Sequence, residues 1–220
     1  MTDNFTPLPG ETMTQWWDRF YTEQGQVWSG NPNVALVREV TGMIPGTALD
    51  LGCAEGADPI WLAQQGWTVL GVDVSQVALD RASARSALGG TDLAERITWR
   101  QFDLLEEFPD GQFDLVTASF FHSPGDNSRD EPLRRAAAAV APGGTLLIVS
   151  HVVLPGDASG HDDVMFDSIE ETLRKLEIDT AGAEAAWTVE TLENVGRTGV
   201  TRHGDTVPFT DGVVKVRRRP

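Results

Sequence analysis

The stretch Ala48–Pro59, "ALDLGCAEGADP", joins an aliphatic lead-in that ends at Asp50 to a run of small residues, Gly52, Cys53, Ala54, Glu55, Gly56 and Ala57. The helix-starting pair Asp58 and Pro59 follows. Strand, tight turn and helix in that order is the grammar of a nucleotide-binding crossover. A dinucleotide fingerprint, G-x-G-x-x-G, opens backbone N–H groups and a helix N-terminus to a pyrophosphate. Here Ala54 and Ala57 occupy the second and third glycine positions, so the fingerprint is broken. Asp50 at the strand end and Glu55 in the turn weigh further against a pyrophosphate. Like unit charges 4 Å apart at intermediate dielectric interact by about 4 kcal/mol. The same carboxylates suit a cationic ligand.

Outward from the turn the pattern is regular. "TALDLG", "WTVLGVDV", "RITWRQFD", "FDLVTASFF" and "GTLLIVSHVV" read as strands, with helices around Pro59–Gln65, Ser75–Leu88 and Glu131–Val140 between them. This alternation predicts an α/β, Rossmann-like doubly wound, mainly parallel sheet of seven strands. Two amphipathic stretches precede it, "ETMTQWWDRFYTEQG" and "NPNVALVREVTGMI", the second opened by Asn31 and Pro32. After it come a helix, "DDVMFDSIEETLRKLEI", and two extended runs, "AAWTVETLENVGRT" and "VPFTDGVVKVRRR". With no helix between them, these runs predict an antiparallel pair at the sheet edge. The expected organisation is a single domain over 1–220: an N-terminal helical lid at 1–43, a cofactor-binding core at 44–153, and a C-terminal helix with its strand pair at 154–220.

Composition narrows the function. A chain of 220 residues with 40% hydrophobic content can bury a full core. No run of 18 apolar residues and no basic-then-apolar leader occurs, which predicts a cytoplasmic protein with no membrane partner. The single cysteine, Cys53, gives no internal disulfide and no cysteine-based metal cage. The formal charge of -16 repels phosphate backbones, so nucleic acid is not an expected partner.

S-adenosylmethionine, with an ammonium, a sulfonium and no phosphate, fits the acidic turn. "ALDLGCAEGADPIWLAQQGWTVLGVDVS" resembles the first two motifs of the class I S-adenosylmethionine-dependent methyltransferases. From "WDRFY" through "VAPGGTLLIVSHV" to "TDGVVKVRRR" the chain is similar to the small bacterial branch with tellurite-resistance and thiopurine-type enzymes. Ala54 departs from the family's usual glycine. The resemblance implies that Asp50 and the backbone of Gly52, Cys53, Ala54, Glu55 and Gly56 hold the amino-acid end of the cofactor, with S-adenosylhomocysteine as product. It implies that Asp73 takes the ribose hydroxyls and Val74 flanks the adenine. Phe102, Asp103 and Leu104 close over the adenine, and Ser119 and Phe120 lie at the mouth of the fourth strand.

The expected reaction is in-line displacement on an O, N or S/Se atom of a small-molecule acceptor, in which alignment supplies much of the rate. A thiolate or selenide needs no base, whereas a phenol or amine benefits from one. His122 in "ASFFHSPGD" is the expected catalytic residue, and His151, Phe121, Trp17, Tyr21 and Trp28 are expected to line the acceptor side. His161 and His203 rank below them. "SFFHSP" stands where methylases of bases and glutamine side chains carry a D/N-P-P-Y motif, and the scattered histidines predict no metal. Two other classes stay open: a nicotinamide-dependent oxidoreductase, and a non-catalytic S-adenosylmethionine-binding regulator. The sequence leaves the oligomeric state undecided.

Overall fold

The aliphatic runs form one sheet: β1 (Thr47–Leu51), β2 (Thr68–Asp73), β4 (Phe113–Ser119) and β5 (Val140–Val153) are its largely buried centre, and β3 (Ile97–Gln101) is a mostly exposed edge strand. The late pair is β6 (Trp187–Val200) and β7 (Thr206–Arg218). The strand order is β3-β2-β1-β4-β5-β7-β6. The first five strands pair in parallel, and β7 joins β5 and β6 antiparallel, as the sequence predicts. The computed structural model describes residues 7–122, 129–153, 166–182, 184–200 and 206–220. His161, His203 and the first part of the expected C-terminal helix lie outside them.

The helices are α1 (Met13–Glu23), α2 (Val34–Val40), α3 (Ala57–Gln64), α4 (Gln76–Ala87), α5 (Thr91–Ala94), α6 (Asp130–Ala138) and α7 (Ile169–Lys175). Thr12 and Gln15 form a capping box on α1, and Ser75 caps α4. The cap of α2 is Asn33 rather than Asn31: its Oδ1 takes the amides of Ala35 and Leu36. Val140, expected at the end of a helix, opens β5 instead. The four-residue α5 carries no apolar period long enough to read from sequence.

Alternate residues along each strand feed two cores. Leu49, Leu51, Val116, Leu146 and Ile148 pack with Leu133 and Ala136 of α6 and Ile169 of α7. Ala48, Val69, Leu115, Leu147 and Val149 pack with Leu36 of α2 and with Ile60 and Leu62 of α3. The chain steps outward from β1 through β2 to β3, then returns to start β4 on the other side of β1. In an open α/β sheet that reversal leaves a ligand crevice at the carboxyl ends of the two strands, here at Leu51 and Ser119. Among the described residues, no helix is long and apolar enough to cross a membrane.

Candidate active site

The turn after β1 is tight because every second residue is left-handed: Gly52 has φ 64°, Ala54 48° and Gly56 79°. Its amides are largely committed to closing it. Cys53 N donates to Val72 O at 3.0 Å, Ala54 N to Asp73 Oδ2 at 2.9 Å, and Gly56 N to Cys53 O at 2.9 Å. These three therefore do not offer the free amides expected for the amino-acid end of a cofactor. The same three are also withheld from a pyrophosphate.

Three buried carboxylates converge here. Asp50, at the end of β1, accepts from Thr117 Oγ1 on β4 at 2.5 Å. Asp73, at the end of β2, accepts from Ala54 N and from Ser75 N, each at 2.9 Å. Asp58 does not cap its own helix; its Oδ1 accepts from Asn33 N at 2.7 Å and so ties α3 to the start of α2. Burial pushes the pKa of all three up, and Asp58 and Asp73 each raise Asp50 further. For Asp73 the value reaches about 6. Among the described residues no Lys or Arg pairs with any of them. Uncompensated buried carboxylates of this kind are costly without a cation, and the donor set fits a ligand with an ammonium and a sulfonium. Asp58 was legible only as a helix starter; its part in this cluster depends on burial that the sequence does not display.

Glu55 belongs to a different contact. Its carboxylate accepts from the amides of Val27 and Trp28 at 3.2 and 3.0 Å and pairs with Arg81 at 3.0 Å. Cys53 is buried, and burial, then Asp73, holds its thiol far above the ordinary range. Asp103 makes an Asx turn with Leu105 N at 3.1 Å, Phe102 N closes on Asp73 O, and Leu104 is buried in the core. Val74, half-buried, accepts from Gln101 through its carbonyl.

Trp17, Tyr21 and Trp28 gather on the turn side. Tyr21 packs with Phe20 and Ala78, beside Trp17 and Ala54. Its hydroxyl accepts from Trp28 Nε1 at 3.0 Å, and its pKa is raised by burial and then by Asp73. A second group surrounds the ends of β4 and β5. Phe120 lies flat on His151, with centroids 4.1 Å apart at 17°, and His122 runs nearly parallel to His151 at 5.8 Å. Phe166 meets both imidazoles edge-on. Phe121 covers Gly52, its Cδ2 standing 2.8 Å from where a β-carbon would be. Ser119 Oγ is buried without a hydrogen-bond partner among the described residues, close enough to Asp58 to help lower its pKa.

His122 does not have the environment expected of a base. Its Nε2 is buried and unpartnered among the described residues. Burial, with Arg129 and His151 nearby, pushes its pKa down to about 3. Also among the described residues, no three His, Cys, Asp or Glu side chains are grouped to hold a metal ion.

Residues 48–144 match the sequence model of a family described as "Methyltransferase domain". These residues are a methyltransferase domain. One relative is a 2-heptyl-1-hydroxyquinolin-4(1H)-one methyltransferase of Mycobacteroides abscessus, 27% identical over 174 residues, 75% of this chain and 70% of that protein. Another is the ribosomal RNA small subunit methyltransferase C of Alcanivorax borkumensis, 36% identical over 115 residues. That match spans 50% of this chain and 34% of the relative. A solved structure reported as "Conversion of a Disulfide Bond into a Thioacetal Group during Echinomycin Biosynthesis" superposes with a TM-score of 0.68 at 24% identity. It covers 94% of this chain and 92% of its own, and shares the fold. The switch point of the methyltransferase domain thus joins an acid-lined end, at β1 and β2, to a ring-lined end, at β4 and β5.

Proposed function

We propose that the whole chain is one cytoplasmic methyltransferase domain that methylates a small, planar acceptor carrying a weakly acidic O–H or N–H group. The observation that carries this reading is the contrast between the two halves of the crevice, buried carboxylates on one side and stacked rings on the other. When bound, S-adenosylmethionine supplies an electrophilic methyl group. Asp73 holds the ribose hydroxyls, and Asp50, Asp58 and Ser119 face its cationic end. Val74, Phe102, Asp103 and Leu104 border the adenine. Trp17, Tyr21 and Trp28 close over the cofactor side, while Phe120, Phe121, His122 and His151 meet the acceptor. Ring stacking rewards a flat acceptor. The tellurite- and thiopurine-type branch would bring a soft sulfur or selenium acceptor, for which the histidines are not needed.

The hydroxyquinolone relative supports a small acceptor and the ribosomal relative an RNA. A chain with a formal charge of -16 favours the first, since RNA binding draws on Lys and Arg at the phosphates. Calorimetry with S-adenosylmethionine, S-adenosylhomocysteine and NAD tests the cofactor: the first two bind, and NAD affinity of the same order argues for an oxidoreductase instead. An acceptor panel including 2-heptyl-1-hydroxyquinolin-4(1H)-one and an RNA hairpin, read as S-adenosylhomocysteine formed, tests the rest. Turnover of RNA alone refutes the small-acceptor reading.

A further inference from the structure

The antiparallel strands β6 and β7 bring charge to the ring-lined end. His151 on β5 stands directly across the ladder from Asp211 on β7, and its Nδ1 lies 3.1 Å from Asp211 Oδ1. Asp211 Oδ2 accepts from Arg197 Nε of β6 at 2.5 Å. Arg197 in turn faces Phe209 across the β6/β7 ladder, and its guanidinium lies 4.4 Å from that ring's centroid. The Asp211 side chain is 8% exposed and that of His151 20%, so the acid is enclosed while the imidazole reaches the crevice.

We propose that His151 is the general base of the methyl transfer and that Asp211, clamped by Arg197, is its positioning residue. This rests on the methyl-transfer reading above. A carboxylate at Nδ1 keeps the proton on that nitrogen and leaves the Nε2 lone pair for a ligand. The charged and titratable groups around His151 are Asp211 from β7, Arg197 from β6, His122 from the end of β4, and Arg129 just before α6, which acts on His122. Asp211 orients the His151 ring through Nδ1. Burial and Arg129 hold the His122 pKa down, so that ring stays neutral and serves as a stacking surface.

Backbone geometry supports the same assignment. Phe120 has φ 52°, a left-handed conformation that a bulky side chain adopts only under strain. Its amide donates to Val149 O at 2.8 Å, which locks the strained residue to β5 and seats its ring against His151. In the step itself the acceptor's proton passes to His151 Nε2, giving the imidazolium. The acceptor atom keeps the bonding pair and uses it to take the methyl group, while the pair of the broken C–S bond stays on sulfur. His151, part-exposed, then returns the proton to water.

Histidine-selective 15N NMR of the full chain and turnover of an isosteric acceptor pair test this together. The spectra should place the neutral His151 proton on Nδ1. Asp211→Asn should abolish that preference, and Asp211→Glu should restore it. His122 should stay neutral down to pH 5. A proton on Nε2 of His151, or an Asp211→Asn spectrum unchanged at His151, overturns the proposal. With 1-naphthol, His151→Ala should lower kcat by about 10² to 10⁴ with a smaller change in KM. With naphthalene-1-thiol, largely ionised at neutral pH, it should retain turnover within about threefold, because an anion needs no base. His122→Ala should act on KM for both. Equal losses on naphthol and thiol mean that His151 only positions. If the wild type binds S-adenosylmethionine but methylates neither probe nor the hydroxyquinolone, the acceptor reading fails, and the base assignment with it.

Discussion

Ala54 holds φ 48° while its amide is tied to Asp73 Oδ2, so the turn fixes a left-handed alanine where glycine would carry no steric penalty. For an L-residue this costs roughly 1–2 kcal/mol. Two terms oppose any gain from glycine: the methyl packs beside Phe20 and Tyr21, and glycine loses more entropy on folding. Ala54→Gly should therefore stay within about 1 kcal/mol of wild type in urea denaturation, while Ala54→Val, β-branched at a left-handed position, should lose about 2 kcal/mol or more. A well-tolerated valine would mean that the turn relaxes to ordinary φ. The sequence revealed the departure at Ala54 and the acids at Asp50 and Asp73, because all three sit inside a contiguous motif. It did not reveal the partners that make them a site. Thr117 lies 67 residues from Asp50, Asn33 25 from Asp58, and Asp211 60 from His151. Such contacts depend on strand register and burial, which one local pattern does not encode.

The element most exposed to change is α1, which three side chains fasten to the cofactor end. Asp18 Oδ1 accepts from Ser75 Oγ and Val77 N at the start of α4. Glu55 holds the amides of Val27 and Trp28. Arg81 of α4 reaches the carbonyls of Tyr21, Gln24 and Gly25, satisfying groups that the end of α1 leaves unpaired. Arg81→Met removes those bonds and Glu55's cationic partner at once, and should cost about 2 kcal/mol. Hydrogen exchange should show the amides of residues 13–23 opening faster while β1 and β4 stay protected, with weaker S-adenosylmethionine binding alongside. Uniform loss of protection would make Arg81 a support of the whole fold instead. The aromatic helix was plain in the sequence because its apolar residues repeat at helical spacing, whereas the latch was not: its charges read as ordinary solvated side chains until their partners are in place.

At the scale of the whole molecule, an acidic chain buries further acid at its crevice, and this links protonation to both stability and binding. The Asp73 pKa in the free fold is about 6, against a reference of 3.8, so the folded form binds that proton more tightly than the unfolded chain does. The resulting stability, about 3 kcal/mol, is fully present below pH 3.8 and is lost as pH rises through about 6. Asp50 and Asp58 are raised as well and act in the same direction. A cationic ligand favours the ionised acids and therefore expels protons when it binds. S-adenosylmethionine affinity should rise with pH between about 5 and 7 and then level off. Calorimetry at pH 6 in phosphate and in a buffer of high ionisation enthalpy should show net proton release. S-adenosylhomocysteine, which lacks the sulfonium charge, should release less. Asp73→Asn should stabilise the free protein at pH 8, flatten this pH dependence, and weaken cofactor binding by about 1.5–3 kcal/mol, the range for a hydrogen bond to a charged group. Proton uptake on binding, or an Asp73→Asn protein with wild-type affinity and the same pH dependence, would mean that the carboxylates are already neutral in the complex and that the cofactor's charge is met elsewhere.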